Sequence, residues 1–537
     1  MAHVLYYAVI ALTVSTVMSS MCPKSMMSCD CRNDNKWSET NEDGLLLVDC
    51  FGDVDNLQDE LNVYANKSIR KLLIENTTAT HMTAEIFSDL KIGILTIKNQ
   101  VTKIESDTFK PISDTLTSLR LLGVNISKSW KLDFLQDLNI ESLYLDRNGL
   151  YPEHFPDFVF ANFSLNSLKL LSLRHCKIVE IMEDAFLGLD GLETLDLTHN
   201  NIPKVAKWLL RLTNLKKINL SYNHRLIYIG DYAFKTLSKL EEIDLSHTGI
   251  NAILEFAFVG LENSLQSLQL HHAELQHGHF STMKKLRKLK RLDISYNQIV
   301  EMHNTSFIGF ASLEELDISG QREIHLRTVE TVNFVDSVFR GLERKLKVLK
   351  IRDLMMTSLP LAALSSLHSL QEIDASENEF TEIYEDFFYG VKARVIHLTN
   401  MQINEISPDA FIGFKLGAEV NFDNNEISNI SFVLNTQRCQ FRKLSFINNP
   451  ISCDCDVVKI ASTNRVSDLS GTCADGYFKR ENLAHVHELP LAFNICDTTD
   501  YRNISNCKYM VSNSSQKSII DSRLYCALLL LLLINFK

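Results

Sequence analysis

The stretch from Leu192 to Val205, LETLDLTHNNIPKV, decides how the rest of the chain is read. Leu192, Leu195, Leu197, Ile202 and Val205, with Asn200 among them, follow the spacing LxxLxLxxNxLxxL. The central LxL is a short strand that turns two apolar side chains to one side, into a core. An Asn just after such a strand carries an amide able to bond main-chain groups that the turn leaves unpaired. The last two apolar residues lead the chain back beneath its neighbour. One coil of this kind cannot bury its own apolar face, so it must stack on copies of itself.

The copies are present. The middle apolar residue of each strand is Leu72, Leu95, Leu119, Leu143, Leu171, Leu195, Ile218, Ile243, Leu268, Leu292, Leu316, Leu349, Ile373, Ile396, Val420 and Leu444. Most of these sixteen repeats are 23 to 25 residues long. Two carry insertions: 28 residues separate Leu143 from Leu171, and 33 separate Leu316 from Leu349. The repeats at Leu72 and Leu95 fit the pattern least well. A second signature falls between strands. It reads Ala185-Phe186-Leu187-Gly188-Leu189, Ala257-Phe258-Val259-Gly260-Leu261 and Ala410-Phe411-Ile412-Gly413-Phe414, with Phe234, Phe307, Phe339 and Phe388 at the same place. These rings are expected to stack as a spine behind the strands.

The chain has 537 residues, and the repeats make it one elongated domain rather than several globules. The formal net charge is −12, with both signs interspersed and no basic stripe, which argues against nucleic acid as a partner. An apolar run from Val4 to Val17, followed by the small residues Ser19 and Ser20, reads as a signal peptide. It is shorter than the ~20 residues that a membrane span needs. Twelve cysteines gather mostly at the two ends, as in an oxidised, exported protein. Sequons at Asn66, Asn76, Asn125, Asn162, Asn219, Asn304, Asn429, Asn503 and Asn513 point to a glycoprotein.

Cys22, Cys29, Cys31 and Cys50 precede the first repeat; Cys453, Cys455, Cys473 and Cys496 follow the last. A stacked array has two raw ends with exposed apolar residues and unpaired strand edges. Disulfides let small flanking segments cover those ends. Zinc binding by the CxC pairs is the rival reading, and the exported context weighs against it. With the repeat pattern, the C-terminal opening NPISCDC and the N-terminal C-P…C-x-C…C, residues 22–496 resemble the extracellular leucine-rich repeat proteins with cysteine-rich flanks. The resemblance implies an α/β solenoid, a horseshoe with a parallel concave β-sheet and disulfide caps. It also implies pairing of Cys22 with Cys31, Cys29 with Cys50, Cys453 with Cys473 and Cys455 with Cys496. Cys176 stands in the Asn place of its repeat and reads as a buried free thiol. Cys439 and Cys507 flank the C-terminal cap, paired to each other or not.

From Leu524 to Phe536 the tail is almost all apolar, and only Lys537 follows. Thirteen residues fall short of a helical span. Asn513, Ser514 and Ser515, a polar spacer and the apolar tail match a glycolipid-anchor signal, with a short span or a free tail as alternatives. The expected organisation is a signal peptide at 1–20, caps at 21–60 and 449–496, repeats at 61–448, a stalk at 497–513 and a removed segment at 514–537, with Asn513 taking the anchor. So organised, the chain resembles the arthropod glycolipid-anchored adhesion proteins of the connectin and chaoptin type, in architecture and repeat style. Chaoptin is much longer, so a photoreceptor role does not carry over. The resemblance implies adhesion or recognition at the outer face of the plasma membrane, through a protein partner or a second copy of the chain. An innate-immune receptor or a secreted factor is the alternative.

No nucleophile elbow, phosphate loop, HExxH or dinucleotide fingerprint occurs, so neither an enzyme nor a cofactor is expected. His271, His272, His277 and His279 crowd one repeat. The first two occupy neighbouring positions that should face differently, which favours a polar strand exit over a metal site. The outward residue of successive strands is Asp196, Asn219, Asp244, Gln269, Asp293, Asp317, Lys350 and Asp374. The residue before the Asn place is His175, His199, Tyr222, His247, His272 and Tyr296 in six successive repeats. The plain reading of both columns is structural. The functional reading is a ligand face, with aromatic anchors beside a charged row. A sugar on Asn219 would stand in the middle of that face and push a ligand to the repeats from Leu268 onward, to an edge, to the convex side, or to the 33-residue repeat. The pairs Lys216-Lys217, Glu241-Glu242, Lys290-Arg291 and Glu314-Glu315 alternate in sign, which relieves repulsion between coils ~5 Å apart.

Overall fold

The computed structural model describes residues 29–33, 46–52, 57–98, 101–124, 132–148, 154–276, 280–299, 301–321, 333–334, 337–412, 414–463, 465–476, 478–489, 492 and 495–496. The chain divides into two compact units between Glu274 and Leu275.

In the first unit a hairpin pairs Cys29–Asn33 with Leu46–Gly52, antiparallel. Leu46–Gly52 then lies parallel to Ser68–Thr77. The sheet continues in parallel through Lys91–Lys98, Ser118–Leu121, Ser142–Tyr144, Leu170–Ser172, Thr194–Asp196, Lys217–Asn219, Glu242–Asp244 and Ser267–Gln269. Leu72, Leu95, Leu119, Leu143, Leu171, Leu195, Ile218, Ile243 and Leu268 stand side by side in register. The two poorly fitting first repeats are therefore in the expected phase. In the second unit the parallel strands are Arg291–Asp293, Glu315–Asp317, Val348–Lys350, Glu372–Asp374, Val395–His397, Ala418–Asn421 and Phe441–Ser445. An eighth strand, Val466–Ser470, comes from the C-terminal flank and pairs Leu469 with Leu444. Both flanks thus add strands to the sheet, which the cysteine pattern did not reveal.

None of the sixteen marker residues is more than 1 % exposed. Burying each is worth about 1.5–3 kcal/mol, which is why the register cannot slip. Behind the strands run turns and short helices with a stack of rings. In the first unit Phe155 meets Phe186 at 5.4 Å, Phe186 meets Trp208 at 5.7 Å, and Phe234 meets Phe258 at 6.0 Å. In the second unit Phe307 meets Phe339 at 6.1 Å, and Phe411 lies between Phe388 at 5.0 Å and Phe432 at 5.5 Å. The expected spine is there within each unit, with Trp208 in one of the Phe places.

Where a repeat carries the Asn, it is a buried strut. Asn200 Nδ2 donates to the carbonyls of Leu173 and Leu197 at 2.8 and 2.9 Å, and its Oδ1 accepts from the amides of Cys176 and Ile178. Asn223, Asn378 and Asn425 repeat the arrangement. Cys176 is free and buried, and its Sγ donates to the Leu145 carbonyl at 3.1 Å, a weaker copy of the Asn bond. Burial pushes this thiol up to about 12, so it stays a protonated donor.

Disulfides join Cys29 to Cys50, Cys453 to Cys473 and Cys455 to Cys496, as the resemblance implied. Cys31 and Cys439 are also disulfide-bonded. Cys22, Cys507 and the candidate anchor residue Asn513 lie outside the described residues, as do the leader, most of the 33-residue repeat's insertion and the apolar tail. Among the described residues, no helix is long and apolar enough to cross a membrane.

Candidate functional site

Among the described residues, the chain leaves the repeat strands through turns whose last residue before the Asn place is left-handed. Its φ is 54° at His175, 56° at His199, 58° at Tyr222, 53° at His247, 52° at His272 and 52° at Tyr296. Residues with a Cβ avoid this region, at a cost of about 1–2 kcal/mol, and Asn and Gly enter it most easily. Asn76, Gly123, Asn400, Asn424 and Asn448 do so in other turns of this chain. In six turns the chain forgoes the easy residue and places a ring there.

Five of those rings form a continuous stack on the first unit. His175 lies on His199 with centroids 4.1 Å apart, His199 on Tyr222 at 4.1 Å, Tyr222 on His247 at 4.2 Å, and His247 on His272 at 4.4 Å. Coil spacing of ~4.8 Å in a parallel sheet is what brings rings at one position of successive turns to stacking distance. In the second unit Tyr296 is 38 % exposed and covers Gly320. A Cβ there would stand 2.3 Å from the Tyr296 ring.

The acidic column does a different job from the one its outward position suggests. Asp196 Oδ1 accepts from the Thr198 amide and hydroxyl at 3.0 and 2.5 Å. Asp244 does the same for Ser246, and Asp293 for Ser295. Asp317 accepts the Ser319 amide at 3.0 Å, and Asp374 the Ser376 amide at 3.1 Å. Each carboxylate fixes its turn, and Asp196, Asp244 and Asp293 thereby present His199, His247 and Tyr296, an Asx-turn contact that local sequence permits. Burial, with Asp293 nearby, raises the Asp317 carboxyl above the usual range. One carboxylate oxygen per turn is thus committed to the scaffold. The charge pairs meet as expected between coils: Lys216 reaches Glu193 at 2.8 Å, Lys217 reaches Glu242 at 2.9 Å, and Lys347 reaches Glu314 at 2.7 Å.

At the His175 end the stack borders a cleft of about 750 Å³, lined by Asn76, Lys98, Asp146, Arg147, Arg174 and His175 among others. Composition gave no sign of it, because its residues come from turns far apart in sequence. Asp146 accepts from Ser172 Oγ at 2.6 Å and from the Arg174 amide at 2.9 Å, and burial raises its carboxyl above the ordinary range.

The sequon asparagines separate by exposure. Asn66, Asn76, Asn162, Asn304 and Asn429 are exposed, and Asn125, Asn503 and Asn513 lie outside the described residues. Asn219 is half-buried and fully engaged. Its Oδ1 accepts from the Ser221 amide and hydroxyl, and its Nδ2 donates to Asp244 at 3.1 Å. A sugar on that nitrogen would break the contact to Asp244 and cover Tyr222. Glycopeptide mass spectrometry should find Asn219 unmodified, with Asn76 or Asn162 occupied; a fully occupied Asn219 would remove the ring stack as a contact surface.

Family profiles match most of the repeat region. A leucine rich repeat profile covers residues 166–225, 213–275 and 263–322, and a BspA type leucine rich repeat region profile covers 60–173 and 333–454. The chain is a leucine-rich repeat protein. Among curated relatives, CD180 antigen of Mus musculus is 25 % identical over 348 residues, covering 60 % of this chain and 52 % of the relative. Chaoptin of Drosophila melanogaster is 26 % identical over 232 residues, covering 39 % of this chain and 17 % of chaoptin. This leucine-rich repeat chain spans about half or less of the length of such relatives. The likeness to chaoptin is thus partial, and other repeat proteins are equally similar. Of solved structures, the mouse RP105/MD-1 complex matches with a TM-score of 0.54 at 18 % identity, over 79 % of this chain and 75 % of that one. That likeness concerns the fold.

Proposed function

We propose that this leucine-rich repeat protein is a cell-surface recognition or adhesion protein, held by a glycolipid at Asn513, that binds a protein partner or a second copy of itself across the ring stack. The observation that carries the reading is the stack His175–His199–Tyr222–His247–His272, presented at five left-handed turns where Asn or Gly would be conformationally easier. Residues held in costly conformations cluster where a surface is used. Stacked rings offer apolar faces at low side-chain entropy, with ring nitrogens and a phenol at the edges, which is the make-up of binding hot spots. The shared fold with the RP105/MD-1 complex, a repeat protein seen with a protein partner, supports the class of function.

The test is a binding screen of residues 22–509 against surface proteins, this chain included. With a partner in hand, the double substitution His199→Ala and Tyr222→Ala should weaken binding roughly 30-fold or more at unchanged circular dichroism. Binding that survives it would sink the reading. Selective capture of microbial surface material would favour immune recognition instead. Phosphatidylinositol-specific phospholipase C should release the protein from intact cells, and retention with Leu524 to Phe536 still attached would refute the anchor.

The reading has a pH consequence. Burial under neighbouring rings lowers the His199 imidazole below its ordinary 6.5, and the His175 charge adds to this. Burial also lowers His247, with His272 and His271 adding. A base whose folded pKa is depressed stabilises the stack fully above its unfolded value. That contribution is lost as pH falls from 6.5 toward the folded value. Partner binding should therefore weaken as pH drops below about 6.5. Nuclear magnetic resonance titration of the His199 and His247 ring protons should give midpoints below 6.5, and midpoints at or above it would contradict the stacked arrangement.

A further inference from the structure

The three turns on the first unit's sheet from Leu195 to Ile243 each pair an outward Asp or Asn with a Ser or Thr two residues on: Asp196 with Thr198, Asn219 with Ser221, Asp244 with Ser246. The turn after Leu268 breaks this rule. Gln269 stands in the Asp place and His271 in the hydroxyl place. The scaffold there needs a small hydroxyl, and an imidazole does not replace its bond. His272 follows at φ 52°, so the strand alternation that would separate the two side chains has already ended. The result is that His271 Nδ1 and His272 Nδ1 are 3.1 Å apart. His247 lies one coil away, with its ring 5.0 Å from His271 and 4.4 Å from His272. The coils are fixed against each other at this point, because the His247 amide donates to the His271 carbonyl at 2.9 Å.

We propose that His247, His271 and His272 form a three-histidine site for a late divalent transition metal ion, zinc or copper. One ring nitrogen from each histidine lies within 4.8 Å of the others. Two nitrogens bound to one tetrahedral zinc at ~2.0–2.1 Å stand about 3.3 Å apart, so the 3.1 Å pair is already at ligand spacing. The His247 nitrogen lies within 4.8 Å of both, and binding turns that ring out of its stack on His272 so that its lone pair meets the same ion. Imidazole is the ligand that zinc and copper share, whereas calcium and magnesium demand oxygen. Each ligand must be neutral. The short Nδ1 contact holds one proton in the free protein, and on metal binding each ring keeps its single proton on the other nitrogen. Asp244 lends negative potential to His247. It is not a ligand itself, since its two oxygens accept from Ser246 and Asn219. Three protein ligands leave a fourth position open, and the exposure of His272 places it toward solvent.

The site goes beyond the proposed function and stands or falls without a partner. The experiment titrates the full chain, purified from a eukaryotic secretory host, with zinc and separately with copper by calorimetry. One ion per chain should bind, and calcium should not. His271→Ser and His272→Asn each use a residue found at the same place in other turns of this chain, so the fold is kept. Each should weaken binding by more than about ten-fold, since even the outer partners of a metal site are worth that much. His175→Asn, in the same stack but outside the cluster, should leave affinity unchanged. Should a variant fail to fold, diethyl pyrocarbonate labelling of the unaltered chain answers the same question. Zinc or copper should then protect His271 and His272 and spare the labelling of His175. No saturable binding of either ion, binding that survives both substitutions, or labelling unaffected by metal would overturn the site.

Discussion

Replacing Phe411 by Ala should cost about 3–5 kcal/mol, and the loss should be confined to the coils around it. Phe411 is 2 % exposed. Its ring touches Phe388 and Phe441 at 5.0 Å and Phe432 at 5.5 Å, with Phe414 at 5.7 Å. No neighbour can fill the gap, because each is itself held by the next coil. In a repeat array every coil contacts only its neighbours, so the cavity acts on nearest-neighbour terms. Hydrogen exchange should quicken in Val395–His397 and Ala418–Asn421 while Thr194–Asp196 keeps its protection. Ile412, next in sequence and 70 % exposed, is the control, and Ile412→Ala should stay within about 0.5 kcal/mol. A Phe411→Ala chain that loses less than ~1 kcal/mol, or that unfolds evenly throughout, would show that the ring stack does not hold the coils together.

That prediction could have been written from sequence, since Phe411 sits in an AFxG signature and its period names its neighbours. The same holds for the Leu, Ile and Val markers, which lie in register because a one-residue slip would turn each of them to solvent. What escaped the pattern was decided by single torsions. Asp196 and Asp244 read as outward charges, yet they spend an oxygen on Thr198 and Ser246, a bond that depends on the turn's geometry. His271 and His272 read as facing apart, which holds within a strand but not across the left-handed residue that ends it. A signal was available. Asn76, Gly123, Asn400, Asn424 and Asn448 at the equivalent place are the residues that favour positive φ, and they mark the whole column as left-handed. The flanking strands Leu46–Gly52 and Val466–Ser470 were hidden differently. Cysteines dominated the reading of both flanks, while the strands carry only fragments of the repeat.

The C-terminal flank shows why those cysteines are there. Phe441–Ser445 would end the array with an open strand edge, and Val466–Ser470 covers it, pairing Phe441 with Val466 and Leu444 with Leu469. The helix Cys455–Ser462 leads to that strand, with Asp454 accepting from the Asp456 and Val457 amides as its N-cap. It buries Val457, Val458, Ile460 and Ala461, too little apolar surface to hold a flank of this length alone. The Cys453–Cys473 bond spans the covering strand, and Cys455–Cys496 closes a larger loop of 41 residues in separation. Cys455→Ser should therefore remove about 2–5 kcal/mol from this flank, lower secretion, and open residues 455–496 to protease. Cys176→Ser is the matched control. That thiol donates to the Leu145 and Arg174 carbonyls, and a hydroxyl can take over as donor, so secretion should hold. A Cys455→Ser chain secreted at the normal level with an equally resistant C-terminal flank would mean that the covering strand holds without its disulfide.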